Sequence, residues 1–180
     1  LEEFYAERDA DTRDLDVRAE YDAETLEVID DWDADVVLLS GYMRILTDAF
    51  VERYAVVNVH PADLRVEDDG ERVYTGFDPV WDAVEAGEPY TRSSVHLVTS
   101  EVDDGPVLVV SRPFEVHRAL VDALQEHDAD DALRSYVDAH QEWMKWEGDG
   151  PALAAALELY ADGRLEPGER PGDDLPVVLE

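Results

Sequence analysis

Residues 34–61 read ADVVLLSGYMRILTDAFVERYAVVNVHP, and two apolar runs in this stretch predict two buried strands. The first run, ADVVLLSGY, has an uninterrupted apolar core, VVLL, followed by a glycine, as a strand covered on both faces of a parallel sheet has. The second, VVNVH, is stopped by Pro61, which has no backbone donor for a sheet. Between them, TDAFVERYA predicts a short helix capped by Thr47 or Asp48. Strand, helix and strand in this order predict one βαβ unit of an α/β sheet.

Two polar side chains, Asn58 and His60, stand at the end of the second predicted strand. Residues two apart on a strand point to the same face, so the amide and the imidazole are expected to converge. Ligands of open α/β sheets bind at the ends of strands. A polar pair of this kind also occurs in ordinary solvated turns, so the rest of the chain has to distinguish a turn from a site.

The remainder of the chain continues the α/β pattern. RVEDDGERVYTG, residues 65–76, is polar and contains glycine, and it predicts a loop. Further helices are predicted at 18–32, 77–88, 130–148 and 151–163, the last two separated by a break at GDGP, and strands at 93–99 and 105–116. We predict an α/β fold with an open, mostly parallel, Rossmann-like sheet flanked by helices, one domain over 1–166 and a C-terminal tail over 167–180.

The composition narrows the function classes. The 180 residues carry a formal net charge of −32 at pH 7, and Lys145 is the single lysine. Such a charge disfavours nucleic acid and anionic membranes as partners. With no cysteine, the chain has no disulfide, zinc–cysteine site or thiol nucleophile. No transmembrane run or signal peptide is visible, so we expect a cytoplasmic, monomeric or homodimeric protein that acts on a small molecule.

The acidic residues are spread along the chain. This distribution is typical of proteins from salt-loving cells, because the Debye length falls to about 3 Å at 1 M salt and self-repulsion is then screened. An acidic surface for a basic partner is the alternative.

A third functional group stands in the turn SEVDDG, after the strand SSVHLVT. If that strand lies next to VVNVH, Asp103 reaches His60, and a carboxylate beside an imidazole is expected to raise its pKa. An amide donor and an imidazolium then polarise a carbonyl and move a proton, which is the equipment of acyl transfer. His96 in the same strand is expected to be a core or supporting residue.

Four stretches in this order, LLSGYMRIL, NVHP, SSVHLVTSEVDDGPV and YADGRL, resemble the folate-dependent formyltransferase family, over about residues 18–166. The resemblance is closest to the family members that formylate glycinamide ribonucleotide in purine biosynthesis. It implies an enzyme that uses 10-formyltetrahydrofolate as formyl donor and no metal. Asn58 and His60 are then assigned to the formyl oxygen, and Asp103 to tuning His60.

The resemblance also implies binding residues. The donor pocket is assigned to Arg18, Met43, Arg44, Ile45, Leu46, Thr99, Ser100, Glu101 and Val102, and the acceptor to Pro61, Gln141 and Glu142. Ordinary alternatives remain open for several of them: core packing for Ile45 and Leu46, and a solvated helix position for Arg18 and Glu142.

The chain also departs from the family pattern. The family begins with a strand and a glycine-rich turn that holds the substrate phosphate, but the first glycine here is Gly41 and the first residue is Leu1. We therefore expect an N-terminally incomplete chain. Arg65 and Arg72 in the 65–76 loop are conceivable phosphate ligands, with a flexible solvated loop as the alternative. The acceptor thus stays open between glycinamide ribonucleotide, another amine, water in a deformylase, or none in a non-catalytic folate-binding relative.

The charge pattern gives a testable prediction. Going from dilute buffer to about 1 M potassium chloride should raise the melting temperature, because the dispersed acidic residues then repel each other less. Thermal melts followed by circular dichroism measure this. A melting temperature that stays constant or falls with salt contradicts the halophilic interpretation.

Overall fold

The computed structural model describes residues 1–164, 172 and 174–180. Its α-helices are α1 (Glu2–Glu7), α2 (Leu15–Asp30), α3 (Asp48–Arg53), α4 (Pro79–Glu85), α5 (Arg118–Glu126), α6 (Asp130–Met144) and α7 (Gly150–Ala161), with a π-helix at Lys145–Asp149. Its strands are β1 (Val36–Leu39), β2 (Ala55–His60), β3 (Glu67–Asp68), β4 (Glu71–Arg72), β5 (Tyr90–Thr91), β6 (Ser94–Leu97), β7 (Val107–Val110), β8 (Phe114–Glu115) and β9 (Val177–Val178). None of the described helices combines the length and apolar character needed to cross a membrane.

The central sheet has five strands in the order β1-β2-β6-β7-β9. β1 is parallel to β2 and β7 is parallel to β9, whereas β6 is antiparallel to both of its neighbours. β1, β2, β7 and β9 therefore run in one direction and β6 opposes them. The predicted α/β architecture with a mostly parallel sheet is confirmed, and the βαβ unit at its start is β1-α3-β2.

Strand β2 is buried on both faces, which explains its apolar sequence. Val57 and Val59 pack in one core cluster with side chains of α7. Val56 points the other way, into a cluster with α2 and α3. Burying a valine contributes about 1.5–3 kcal/mol relative to leaving it exposed. Asn58 and His60 share the face of Val56, because side chains alternate along a strand. The buried strand β2 therefore also carries the two polar side chains, Asn58 and His60.

The predicted break at GDGP is wrong. Residues Lys145–Asp149 form a π-helix that connects α6 directly to α7. Pro151 falls in the first turn of α7, immediately after this π-helix. Gly148 lies so close to Phe114 that an added Cβ would stand 2.9 Å from the ring. The helical path continues because this glycine lets the backbone pass against an aromatic core side chain.

The predicted loop over 65–76 is a β-hairpin. β3 pairs antiparallel with β4. The two residues between them, Asp69 and Gly70, both have positive φ, of 50° and 87°. A two-residue turn with both φ values positive matches the twist of the flanking strands and favours Asp-Gly. That dipeptide was therefore the sequence signal for the hairpin.

The C-terminal segment joins the sheet. β9 pairs with β7, and the Leu179 amide donates to the Val110 carbonyl at 2.9 Å. The described end of the predicted tail thus forms an edge of the sheet. The predicted boundary between residues 166 and 167 lies outside the described residues and stays a prediction.

The turn between β6 and β7 depends on a close backbone approach. A Cβ added to Gly105 would stand 1.7 Å from the Leu97 carbonyl oxygen, so any side chain there forces the backbone to move. We expect Gly105→Ala to lower the free energy of unfolding by about 1–3 kcal/mol, the range for an overpacked site. Urea unfolding in molar salt measures this.

Gly150 is a matched control, because it sits at the start of a helix and a Cβ added to it would meet no neighbouring atom within 4 Å. Gly150→Ala should leave the stability unchanged or raise it slightly. Equal stabilities for Gly105→Ala and Gly150→Ala would show that the turn tolerates a side chain.

Candidate active site

A cavity of about 700 Å³ opens beside the ends of β1 and β2. Its walls come from the segment after β1, the end of β2, the turn after β6 and the junction of α6 with α7. A volume of this size is typical of small-molecule sites. The structure brings Asn58, His60 and Asp103 together in its wall.

Asp103 reaches His60 because the turn after β6 folds back along β2. Leu97 pairs with Val57, yet Asp103 contacts the side chain of His60, three residues further along β2. Asp103 Oδ2 lies 3.4 Å from His60 Nδ1. Asp103 itself has a φ of 52°, in the left-handed region that aspartate tolerates better than most residues. The expected neighbourhood of the two strands thus exists, with a folded-back turn that the sequence did not reveal.

His60 has a defined proton arrangement. Its Nε2 lies 2.8 Å from the Tyr74 carbonyl oxygen, which can only accept, so Nε2 carries a hydrogen. The proton that His60 gains or loses is therefore on Nδ1, the nitrogen facing Asp103. His60 is 4% exposed. An imidazole held in this way presents one titrating position.

His96 is a site residue whose direct contact with Asp103 the sequence analysis missed. Its Nε2 lies 3.5 Å from Asp103 Oδ1 and 3.2 Å from Asn58 Nδ2. Its Nδ1 donates to the Leu97 carbonyl at 2.8 Å, so Nδ1 carries a hydrogen. In the neutral ring, Nε2 therefore accepts from the Asn58 amide. In the charged ring, Nε2 also carries a proton, which faces Asp103. The pairing of β2 with β6 places His96 directly opposite Asn58. That register was the available signal, but it requires knowing how the strands pair.

The expected rise in the pKa of His60 is wrong. Burial lowers the pKa of His60 below its ordinary value, and the opposing charge of Asp103 does not fully compensate. Burial pushes the pKa of Asp103 up, but the contacts with His96, His60 and the Gly76 amide together hold it below its usual value. The resting arrangement is therefore an ionised Asp103 carboxylate that faces a largely neutral His60 imidazole at neutral pH.

The predicted donor-pocket residues, Arg18 excepted, line the cavity. They form two facing groups, Met43, Arg44, Ile45 and Leu46 after β1, and Thr99, Ser100, Glu101 and Val102 after β6. Leu46 is 4% exposed and is also part of a core cluster, whereas Ile45 is 50% exposed. The core-packing alternative thus holds for Leu46, which serves both the core and the wall.

Arg18 does not line the cavity. Its guanidinium is buried, pairs with Asp22 at 2.8 Å and donates to the Tyr42 hydroxyl. Asp22 in turn accepts from the amide and hydroxyl of Thr47, at 2.8 and 2.9 Å. The Arg18–Asp22 pair therefore contacts both ends of the segment 42–47 without itself lining the cavity. Arg18 was assigned to the donor pocket, but its buried guanidinium lies outside the cavity wall, and the solvated alternative does not hold either.

The predicted acceptor residues separate into two groups. Pro61 and Gln141 line the cavity, whereas Glu142 is exposed and pairs with Lys145 at 2.6 Å. Lining residues that were not predicted come mainly from two places: Gly76, Phe77 and Pro79 at the start of α4, and Lys145, Trp146, Asp149, Gly150 and Leu153 around the π-helix. The contribution of the second group depends on the uninterrupted helical path from α6 to α7, which the predicted break at GDGP concealed.

The predicted phosphate ligands are engaged elsewhere. Arg65 donates to both carboxylate oxygens of Asp63, at 2.8 and 2.7 Å. Arg72 donates to the carbonyl oxygens of Asp103 and Gly105. Neither arginine lines the cavity. Across the described part of the chain, no cluster of His, Asp and Glu is arranged to hold a metal ion.

Comparison with known proteins identifies relatives of one family. The formyl transferase family model matches residues 3–139. A phosphoribosylglycinamide formyltransferase of Escherichia coli (strain K12) is 40% identical over 100 residues, covering 54% of this chain and 44% of that protein. A formyltetrahydrofolate deformylase of Bacillus subtilis (strain 168) is 31% identical over 112 residues, covering 61% and 35%. The chain therefore spans less than half the length of these two relatives.

Solved structures show the same likeness. A glycinamide ribonucleotide transformylase of Symbiobacterium toebii has a TM-score of 0.51 at 25% identity, over 81% of this chain and 58% of that chain. A formyltetrahydrofolate deformylase of Pseudomonas syringae pv. tomato has a TM-score of 0.56 at 25% identity, over 88% and 44%. The family match covers well over half of the 180 residues, and the chain belongs to the formyl transferase family.

Proposed function

We propose that this chain carries the catalytic part of a folate-dependent formyltransferase that moves the formyl group of 10-formyltetrahydrofolate to the amine of glycinamide ribonucleotide. The observation that carries the proposal is the Asp103 carboxylate held between two imidazoles, beside an amide, in the wall of a cavity of about 700 Å³. The likeness to a phosphoribosylglycinamide formyltransferase supports the acceptor.

The reaction joins the acceptor nitrogen to the formyl carbon and breaks the bond from that carbon to N10 of the folate. The amine loses one proton, and N10 gains one. During attack, negative charge develops on the formyl oxygen and needs preorganised donors. Asn58 has two amide hydrogens, of which one is directed at His96, so the other is available to the oxygen. His60 is the second donor when its Nδ1, which faces Asp103 at 3.4 Å, is protonated.

Asp103 supports proton transfer from both sides. Its carboxylate stabilises a proton on His60 Nδ1 when the amine or the leaving nitrogen exchanges it. His96 lies on the other carboxylate oxygen. One carboxylate between two imidazoles therefore tolerates a single extra proton within a buried site, because the pair of opposite charges stays together.

The donor pocket is formed by apolar and polar wall segments on opposite sides. Met43, Ile45 and Val102 are 61%, 50% and 55% exposed, and all three line the cavity. Large apolar side chains open to a cavity fit a flat heterocycle and its aromatic extension. The carboxylates and hydroxyls of residues 99–103 supply polar partners for its edge.

Hydrolysis of the same donor is the second candidate, because two relatives in the comparison are named formyltetrahydrofolate deformylases. In that reaction water replaces the amine and formate is released. Both reactions use the same formyl oxygen donors, so the acceptor distinguishes them. The genomic sequence upstream of Leu1 is informative here, since a strand followed by a glycine-rich turn would supply a phosphate site.

An assay in molar salt tests the proposal. The protein is mixed with 10-formyltetrahydrofolate, with and without glycinamide ribonucleotide, and both formylated acceptor and formate are measured. We expect formyl transfer that depends on the acceptor. Asn58→Ala should lower turnover by about 10²–10³-fold, as the loss of one oxyanion donor does, and His60→Ala should remove most of it.

Donor binding, measured by fluorescence titration, should change little in both variants, because the wall segments remain. His127→Ala is the control, since His127 is exposed at the end of α5 and outside the cavity. Formate release that is independent of the amine would support the deformylase instead. Turnover unaffected by Asn58→Ala would overturn the assignment of the oxyanion donor.

The pKa of His60 gives a pH prediction. The Nδ1 proton is present only below this pKa, which burial holds below the ordinary 6.5. The value of kcat/KM should therefore fall as the pH rises, along a limb centred below 6.5. Asp103→Asn removes the charge that favours the imidazolium, so its limb should move to still lower pH. A wild-type limb centred above 6.5 would contradict the dominance of burial.

A further inference from the structure

The β-hairpin that replaces the predicted loop reaches the candidate active site at several points. We call residues 66–76 the bracing hairpin; it contains β3, the Asp69-Gly70 turn, β4 and the four residues after them. The Val73 amide donates to the Val66 carbonyl at 3.1 Å and extends the pairing beyond the two strands. The segment is therefore an ordered element next to Asp103 and His60.

Two contacts of the bracing hairpin are made by its backbone. The Tyr74 carbonyl accepts from His60 Nε2 at 2.8 Å, and the Gly76 amide donates to Asp103 Oδ2 at 2.9 Å. Tyr74 is 5% exposed, and its hydroxyl donates to Glu88 at 2.8 Å. A buried, hydrogen-bonded tyrosine fixes this part of the backbone. The hairpin thus orients both members of the His60–Asp103 pair.

The third contact uses a side chain. Arg72 Nη1 donates to the carbonyl oxygens of Asp103 and Gly105, the latter at 2.9 Å. Hydrogen bonds from a charged donor are about twice as strong as neutral ones. The turn that Arg72 holds is conformationally restricted, because Asp103 has a φ of 52° and a Cβ added to Gly105 would stand 1.7 Å from the Leu97 carbonyl oxygen. One guanidinium nitrogen therefore ties the two ends of the segment 103–105.

We propose that Arg72 is a positioning residue that holds the Asp103 turn over β2, so that the Asp103 carboxylate stays against His60. This inference rests on the proposed function for its catalytic meaning, but its geometric content stands on the chain alone. In this proposal, the bracing hairpin aligns the two proton-transfer groups, His60 and Asp103. Arg72 acts through Asp103 and does not contact the reacting atoms.

A double-mutant cycle separates positioning from general stabilisation. The measured quantity is the pKa of His60, followed by NMR of the imidazole signals in molar salt and assigned by their loss in His60→Gln. The charged and titratable groups that act on His60 are Asp103, His96 and Arg72. The shift caused by Asp103→Asn is measured in the wild-type background and in the Arg72→Met background, so the charge of Arg72 cancels.

In the wild-type background, Asp103→Asn should lower the pKa of His60 by about one unit, as the loss of an opposite charge at this distance does. In the Arg72→Met background the shift should be less than half as large, because the carboxylate is no longer held near Nδ1. Arg72→Lys keeps the charge but loses the planar guanidinium, and it should give an intermediate shift. It also provides the test if Arg72→Met does not fold.

Arg65→Met is the matched control, since Arg65 stands just before the bracing hairpin and donates to Asp63 instead. It should give the wild-type shift. Equal shifts in the wild-type, Arg72→Lys and Arg72→Met backgrounds would overturn the inference. The NMR cycle needs neither donor nor acceptor, so it fails or succeeds independently of formyl transfer. Where transfer occurs, Arg72→Met should lower kcat about 10–100-fold with donor binding unchanged.

Discussion

The position of one carboxylate organises this site. Asp103 lies 3.4 Å from His60 Nδ1 and 3.5 Å from His96 Nε2, and each imidazole has its other nitrogen fixed by a backbone carbonyl. Burying a charge in this way is unfavourable unless partners surround it. The Gly76 amide, the two histidines and the turn that carries Asp103 are those partners. Each of these groups shares a contact with Asp103, so we expect them to act as a unit.

The opposite wall is held by a second buried charge. Arg18 and Asp22 pair on α2, and their remaining contacts go to Tyr42 and Thr47 at the two ends of one wall segment. Breaking a buried ion pair by removing one partner costs about 3–5 kcal/mol, because the other charge is left uncompensated. The segment 42–47 is therefore fixed although Met43 and Ile45 are open to the cavity. Both walls are thus anchored by charged groups: Asp103 lies in the cavity wall itself, whereas the Arg18–Asp22 pair lies behind the wall.

Much of the fold and part of the site follow from local sequence patterns. The apolar runs and Pro61 identified β1 and β2, and the alternation along β2 placed Asn58 and His60 on one face. Asp103 was identifiable from its turn and from the family resemblance. The π-helix and the direct contact of His96 with Asp103 depend instead on tertiary packing and strand register, which a single sequence does not specify. The hairpin had a local signal in Asp69-Gly70, but strands of two residues are too short for a periodic pattern.

The direction of the His60 pKa shift shows why composition and motifs were not sufficient to predict the electrostatics of the site. Asp103 is near enough to favour the imidazolium, as the motif implied, yet His60 is 4% exposed and desolvation has the larger effect.

Opposing electrostatic effects also act on recognition of the proposed substrates. These are a folate and a phosphorylated amine, which are both anions. A chain of net charge −32 repels them at long range, and Lys145 near the cavity is paired with Glu142. Molar salt shortens the Debye length to about 3 Å, so the distant acids stop acting while contacts inside the cavity persist. If the halophilic interpretation holds, high salt favours both the approach of the proposed substrates and the compact state, and the proposed short-range donors Asn58 and His60 act once those substrates have bound.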